Sequence, residues 1–248
     1  MNYFAKIKYL GGNFHGFQVQ PELRTVQGEL CTALKNALGV ECKVTGCSRT
    51  DAGVHANEFC IRIDADGATV PAEKLPVAVA RYLPCDLSLY FAEECSKDFH
   101  PRYDCKEKEY LYRIINRIVY DPFEYERAWF VARRITDSGI EKMREAASHF
   151  LGKHDFSGFM AEGSDVEDTV RCISSLTVER GENDLIEIKV RADGFLYNMV
   201  RIIVGTLVET AFGRIDAKDM GKIISSCDRS LAGMTAPAFG LYLNKVIY

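Results

Sequence analysis

The sequence predicts an α+β protein built from two similar halves, and three observations carry that expectation. At 248 residues the chain can hold one large domain or two small ones around a sizeable core. Its apolar positions switch between strand-like alternation and helical spacing along the whole length. In the first half these periods come in the order strand, helix, strand, strand, helix, strand, which is that of a ferredoxin-like unit.

The elements follow in order. "FAKIKYLGG" reads as a strand, with Phe4, Ile7 and Tyr9 as strand formers and Gly11-Gly12 closing the run. "TVQGELCTALKNALG" places Val26, Leu30, Ala33, Leu34, Ala37 and Leu38 at helical spacing, with Gly39 as the stop. "ECKVTGC" is a short strand, and "EFCIRIDAD" alternates Phe59, Ile61 and Ile63 against Cys60, Arg62 and Asp64. "PAEKLPVAVARYL" reads as a helix and "LSLYFAEEC" as a strand. In the second half "KEYLYRIINR" alternates as a strand. "DSGIEKMREAASHFLG" is the clearest helix: Ser138 and Glu141 form a capping box, Ile140, Met143, Ala147, Phe150 and Leu151 share a face, and Gly152 ends it. "CISSLTVERG" and "LIEIKVRADG" are strands about a Gly-Glu-Asn-Asp turn, "MVRIIVGTLVETAFG" and "AKDMGKIISSCD" are helical, and "GLYLNKVIY" closes the chain as a strand. The expected whole is two ferredoxin-like (RRM-like) halves, 1–105 and 106–248. A continuous, mostly antiparallel sheet joins them, with helices on one side and a central active-site cleft.

Composition narrows the function classes. A hydrophobic content of 47% with 27% charged residues is ordinary for a globular protein. The most apolar stretch, "FLYNMVRIIVGTLVETAF", is broken by Arg201 and Glu209 and falls short of the roughly 20 apolar residues of a membrane span. The N-terminus has no basic region leading into an apolar run, so no signal peptide and no membrane partner are expected, and the expected location is the cytoplasm. Nine cysteines, an odd number with no C-x-x-C pair, are expected to be buried free thiols and not a disulfide framework or a zinc site. His149, His154 and Asp155 are poorly spaced for a metal. The formal net charge of −4 weighs against nucleic acid, although binding depends on a local patch and not on the sum.

"TGCSRTDAGVHA", residues 45–56, holds the chemistry worth weighing. Asp51 sits between two strand-like runs, bracketed by Gly46 and Gly53. An Asp-x-Gly segment is commonly just a turn. The sharper reading uses Arg49, whose guanidinium beside the carboxylate would lower its pKa and fix its pose. An ionised carboxylate held that way can attack as a nucleophile or stabilise an oxocarbenium ion at a sugar. No second acid stands nearby to complete a hydrolytic pair. Cys47 or Ser48 with His55 lacks a nucleophile elbow, and no phosphate loop or dinucleotide fingerprint is present.

"FHPRYDCKEKEYLYRI" is the most basic local stretch, with Arg102, Lys106, Lys108 and Arg113 interleaved with Tyr103, Tyr110 and Tyr112. It suits a groove that tracks a nucleic-acid backbone and stacks bases. A solvated strand face with Glu107 and Glu109 offsetting the lysines fits equally well. Arg201, inside an apolar helix, needs a partner, and a carboxylate such as Asp51 across the cleft would suit.

"SRTDAGVHA" resembles the signature of the TruA-type tRNA pseudouridine synthases. The resemblance continues in the family's order through "TVQGEL", "FHPR", "KEYLYRI", "HDFSGF", "TVR", "GFLYNMVRIIVGTL" and "GLYL", almost the full chain. It implies an isomerase that converts uridine to pseudouridine at tRNA positions 38 to 40 in the anticodon stem-loop, without a cofactor or metal. Asp51 would be the catalytic aspartate, Arg49 its basic neighbour, Tyr110 the tyrosine that stacks on the base, and Arg201 the arginine that contacts the aspartate. The two halves would form one catalytic unit, and two chains a homodimer with each tRNA spanning both. Leu10, Phe59 and Ala80 depart from the family's Asp, Gln and Asn and bear on RNA contacts and target choice. A non-catalytic tRNA-binding protein or chaperone, a synthase with shifted target uridines, and a cysteine enzyme using Cys47 are the competing readings.

Overall fold

The structure, a computed structural model, describes residues 1–163 and 166–248. These fall into two units: Met1–Lys106 together with Tyr242–Tyr248, and Glu107–Leu241. The closing strand is therefore part of the first unit, whereas its place in the sequence had put it with the second half.

In the first unit β1 (Asn2–Tyr9) lies between β4 (Leu87–Glu94) and β3 (His55–Asp64), antiparallel to both. The other edge of β3 is shared. β2 (Lys43–Gly46) pairs antiparallel with residues 61–64, and β10 (Leu241–Ile247) pairs parallel through Tyr242–His55 and Leu243–Ala56. The order β4-β1-β3-β2 is the ferredoxin-like one. Tyr3, Ala5, Ile7 and Tyr9 on one face of β1 are buried, while Lys6 and Lys8 on the other face are not. α1 (Val26–Leu38) starts where the Thr25 hydroxyl accepts the Gly28 N–H and stops at Gly39 in the left-handed region, and it packs on α2 (Leu75–Ala80) and β2. α2 is shorter than its apolar pattern. Ala72–Lys74 form a 3-10 turn before it, and it stops ahead of Leu83-Pro84, a pair that disfavours helix.

In the second unit β5 (Glu107–Ile115), β9 (Leu185–Ala192), β8 (Val170–Arg180) and β7 (Gly152–Asp155) are neighbours in that order, all antiparallel, and β6 (Trp129–Phe130) adds a short parallel pairing to β5. The β8–β9 hairpin turns on Asn183 and Asp184, both with positive φ, as the Gly-Glu-Asn-Asp segment implied. α3 (Asp137–Ser148) packs on α4 (Met199–Ala211), and α5 (Met220–Ser226) follows.

Three local expectations are corrected. The cap of α3 is Thr136, whose hydroxyl accepts the Gly139 N–H at 3.2 Å, so Ser138 is inside the first turn and Glu141 pairs with Arg144. The helix ends at Ser148, leaving Leu151 exposed, and Gly152, with φ +93°, opens β7. Of the nine free cysteines only Cys47 and Cys60 are buried, and Cys85, Cys172 and Cys227 are exposed. Among the described residues, no helix is long and apolar enough to cross a membrane.

Candidate active site

The connection from β2 to β3 carries the motif, and its backbone is held from outside itself. Cys47 N–H donates to the Cys60 carbonyl at 2.9 Å, which seats the start of the loop on β3. The tip is a β-turn: Val54 N–H donates to the Asp51 carbonyl at 3.2 Å, and Gly53 takes φ +80° in the third position. A second segment, residues 11–17, clamps this turn. Phe17 N–H donates to the Thr50 carbonyl at 3.1 Å, and Gly53 N–H donates to the Phe14 carbonyl at 3.3 Å. The Tyr9 and Thr50 hydroxyls share a hydrogen bond of 2.7 Å in the core. Gly16 makes the approach feasible: its φ is +85°, and a Cβ there would lie 2.6 Å from the Thr50 carbonyl oxygen.

Asp51 is half-buried at the tip of this turn, between buried Thr50 and buried Val54. Arg49 is exposed. The backbone that carries Asp51 is held by the clamp of residues 11–17. His55 has a structural task. It is 1% exposed, its Nδ1 accepts the Gly11 N–H at 2.8 Å, and its ring stacks on Tyr242. An Nδ1 that accepts a hydrogen bond carries no proton, so this imidazole is neutral. Cys47 is fully buried, which removes the thiol from contact with a large substrate.

The other site residues belong to the second unit. Tyr110 lies on β5 opposite Val190, is 7% exposed, and meets the edge of Phe195 at 5.0 Å. Tyr112, two residues on, is fully buried; its hydroxyl donates to the Pro237 carbonyl at 2.7 Å, and burial raises its pKa. Of this tyrosine pair, Tyr112 is the packing residue. Arg201, on α4, donates from Nε to the Ala236 carbonyl at 2.7 Å and from Nη1 to Asn198 Oδ1 at 2.6 Å. Both acceptors are neutral, a carbonyl and a side-chain amide. In the basic stretch, Arg113 is taken by Glu124 at 3.0 Å, and Glu109 pairs with Arg191. Arg102 and Lys106 remain exposed.

The departures from the family pattern have simple surroundings. Leu10 is exposed, Ala80 ends α2, and Phe59 is fully buried, stacked on Phe17 at 4.4 Å. Sequence reasoning missed the 11–17 segment as part of the site. The signal available was Gly11-Gly12 and Gly16 beside aromatic residues, a pattern that marks close backbone approach.

Comparison with known proteins gives the family. The tRNA pseudouridine synthase A of Thermoanaerobacter sp. (strain X514) is 43% identical over 247 residues, covering 100% of this chain and 99% of that protein. This chain belongs to the tRNA pseudouridine synthase family. Its match to the family profile runs over residues 146–248. The tRNA pseudouridine synthase A 2 of Clostridium tetani is 39% identical over 249 residues, covering 100% of this chain and 98% of its own. That of Acetivibrio thermocellus is 42% identical over 243 residues, covering 98% and 97%. The chain is accordingly an isomerase acting in tRNA modification.

Proposed function

We propose that this synthase converts uridine to pseudouridine in the anticodon stem-loop, at tRNA positions 38 to 40, with Asp51 as the reacting carboxylate. The observation that carries the reading is the pose of Asp51: half-buried at the tip of a turn whose two flanks are clamped by residues 11–17. A carboxylate that must meet one atom of a nucleotide needs that rigidity.

In the reaction the N1–C1′ bond breaks and a C5–C1′ bond forms. C5 loses its hydrogen and N1 gains one, so the product is an isomer and no net oxidant or reductant is consumed. Asp51 acts at C1′, at C6 or by assisting loss of the base, and each of these needs the ionised form. The target uridine leaves its stack first, at a cost of a few kcal/mol. Stacking on Tyr110 offsets that by about 1–3 kcal/mol. Arg49, which is exposed, meets the RNA backbone, and Arg201 meets the nucleotide. The working form in this proposal is a cytoplasmic homodimer, which light scattering on the purified protein tests directly.

The deciding experiment uses tRNA carrying 5-³H-uridine. Wild type should release tritium, and Asp51→Asn should bind the same tRNA and release none. Turnover by Asp51→Asn would remove the aspartate from the mechanism. Binding without release by wild type would favour a chaperone. Mapping pseudouridine in tRNA from cells with and without the protein tests positions 38 to 40 separately from the chemistry.

A further inference from the structure

Behind the clamp on the Asp51 turn stands a charged group that the reaction itself does not use. Arg24 lies just before α1, and Asp86 just before β4. Arg24 donates from Nη1 and Nη2 to the two Asp86 oxygens, both at 2.9 Å, and from Nε to Glu29 at 2.9 Å. Asn13 adds an amide N–H to Asp86 at 3.3 Å. All three guanidinium nitrogens are therefore engaged in a planar fork, which a bidentate carboxylate orients better than any single contact.

The face of that guanidinium lies over the Phe14 ring, 4.3 Å from its centroid. The other neighbour of Phe14 is Tyr9, edge-on at 6.2 Å, and Tyr9 in turn holds Thr50. The backbone runs the same way. The Arg24 carbonyl accepts the His15 N–H at 2.9 Å, and the Phe14 carbonyl accepts the Gly53 N–H. Phe14 is thus pinned by its ring to Arg24 and Tyr9, and by its carbonyl to the turn that presents Asp51. Tyr9, Phe14, Arg24 and Asp86 all lie outside the "SRTDAGVHA" motif, and Asp86 is 35 residues beyond Asp51 in the chain.

We infer that Arg24, oriented by Asp86, is a positioning residue for the Asp51 turn, acting through Phe14. The inference rests on the assignment of Asp51 as the reacting carboxylate. The arginine touches neither the turn nor the reacting atoms. It sets the ring, and hence the carbonyl, against which Gly53 is fixed. Consistently, the hydrogen bonds from Arg24 hold the Asp86 carboxyl below the usual carboxylate range, so the anchor is ionised at neutral pH.

The test compares Arg24→Gln, Arg24→Lys and Asp51→Asn in the full-length protein. The single-turnover rate of tritium release, the tRNA Kd by filter binding and the Tm are measured on each. A displaced catalytic group costs up to about 100-fold in rate, so Arg24→Gln should lower the single-turnover rate by about 10- to 100-fold with Kd within about threefold of wild type. Arg24→Lys, which keeps the charge but loses the fork, should recover part of the rate. A rate for Arg24→Gln within about threefold of wild type would overturn the inference, and so would a rate loss matched by an equal rise in Kd, which would make Arg24 an RNA contact. If Arg24→Gln does not fold, Phe14→Leu is judged by the same two limits. Asp51→Asn separates the two readings. Its continued turnover removes the premise, whereas an inactive Asp51→Asn beside an undiminished Arg24→Gln defeats the positioning role alone.

Discussion

The loop 47–54 and the segment 117–126 both follow a strand, both mix charged and apolar residues, and both are held by hydrogen bonds. They differ in where the partners come from. Cys47, Thr50, Val54 and His55 are buried, and ties from Cys47, Thr50, Gly53 and His55 reach Tyr9, Gly11, Phe14, Phe17 and Cys60. In 117–126, Ile118 and Phe123 are 83% and 85% exposed, and the ties are local: Arg117 to Asp121, Asp121 to the Phe123 N–H, and Arg113 to Glu124. Local ties give a segment a shape. Ties from distant elements also give it a position relative to the sheet, which is what a reacting carboxylate needs.

The comparison breaks most sharply at Gly16. Gly16→Val puts a β-branched residue at φ +85° with its Cβ against the Thr50 carbonyl. Strain and overpacking of this kind cost about 3 kcal/mol or more. At about 2–4 °C per kcal/mol for a chain of this size, the Tm by calorimetry should fall by about 6–12 °C, with loss of turnover. A fall below about 2 °C would mean that the clamp yields easily.

A smaller effect is expected at Asp86, with a definite pH signature. Its folded pKa is depressed, first by the hydrogen bond from Arg24, so the contribution is present above the unfolded carboxylate value and is lost as pH falls through the lower folded one. The gap between the urea midpoints of wild type and Asp86→Asn should therefore be constant from about pH 8 to about pH 5 and close only below about pH 4, near the ordinary Asp value. A gap that changed around neutral pH would assign the anchor to another group.

The smallest effect belongs to the exposed segment. Phe123→Ser should leave the unfolding free energy from urea titration within about 0.5 kcal/mol of wild type, because nothing buried is lost. A larger shift would mean that the ring is covered in solution, and the contrast between the two regions would weaken.

Much of the fold was legible from periodicity. The alternation of β3 and β9 and the apolar stripes of α1 and α4 reappear at nearly the boundaries read from the chain. Where the reading slipped, two local signals competed. Ser138 with Glu141 and Thr136 with Gly139 are both capping patterns, and the backbone used the earlier one. For the site, the turn and its acid were legible because glycine and aspartate constrain the chain within a few residues.

By itself, then, the sequence determined the element types, the turn that presents Asp51 and, through an ordered set of short motifs, the family. Those properties depend on neighbours a few residues apart, which a single chain records directly. Only the tertiary structure decided that Phe14, Gly16 and Phe17 clamp the turn, that Arg24 and Asp86 stand behind Phe14, and that the closing strand β10 pairs with β3. Each of these joins positions far apart in the chain. Their pairing is set by which surfaces bury together and which backbone groups remain to be satisfied once the sheet has formed.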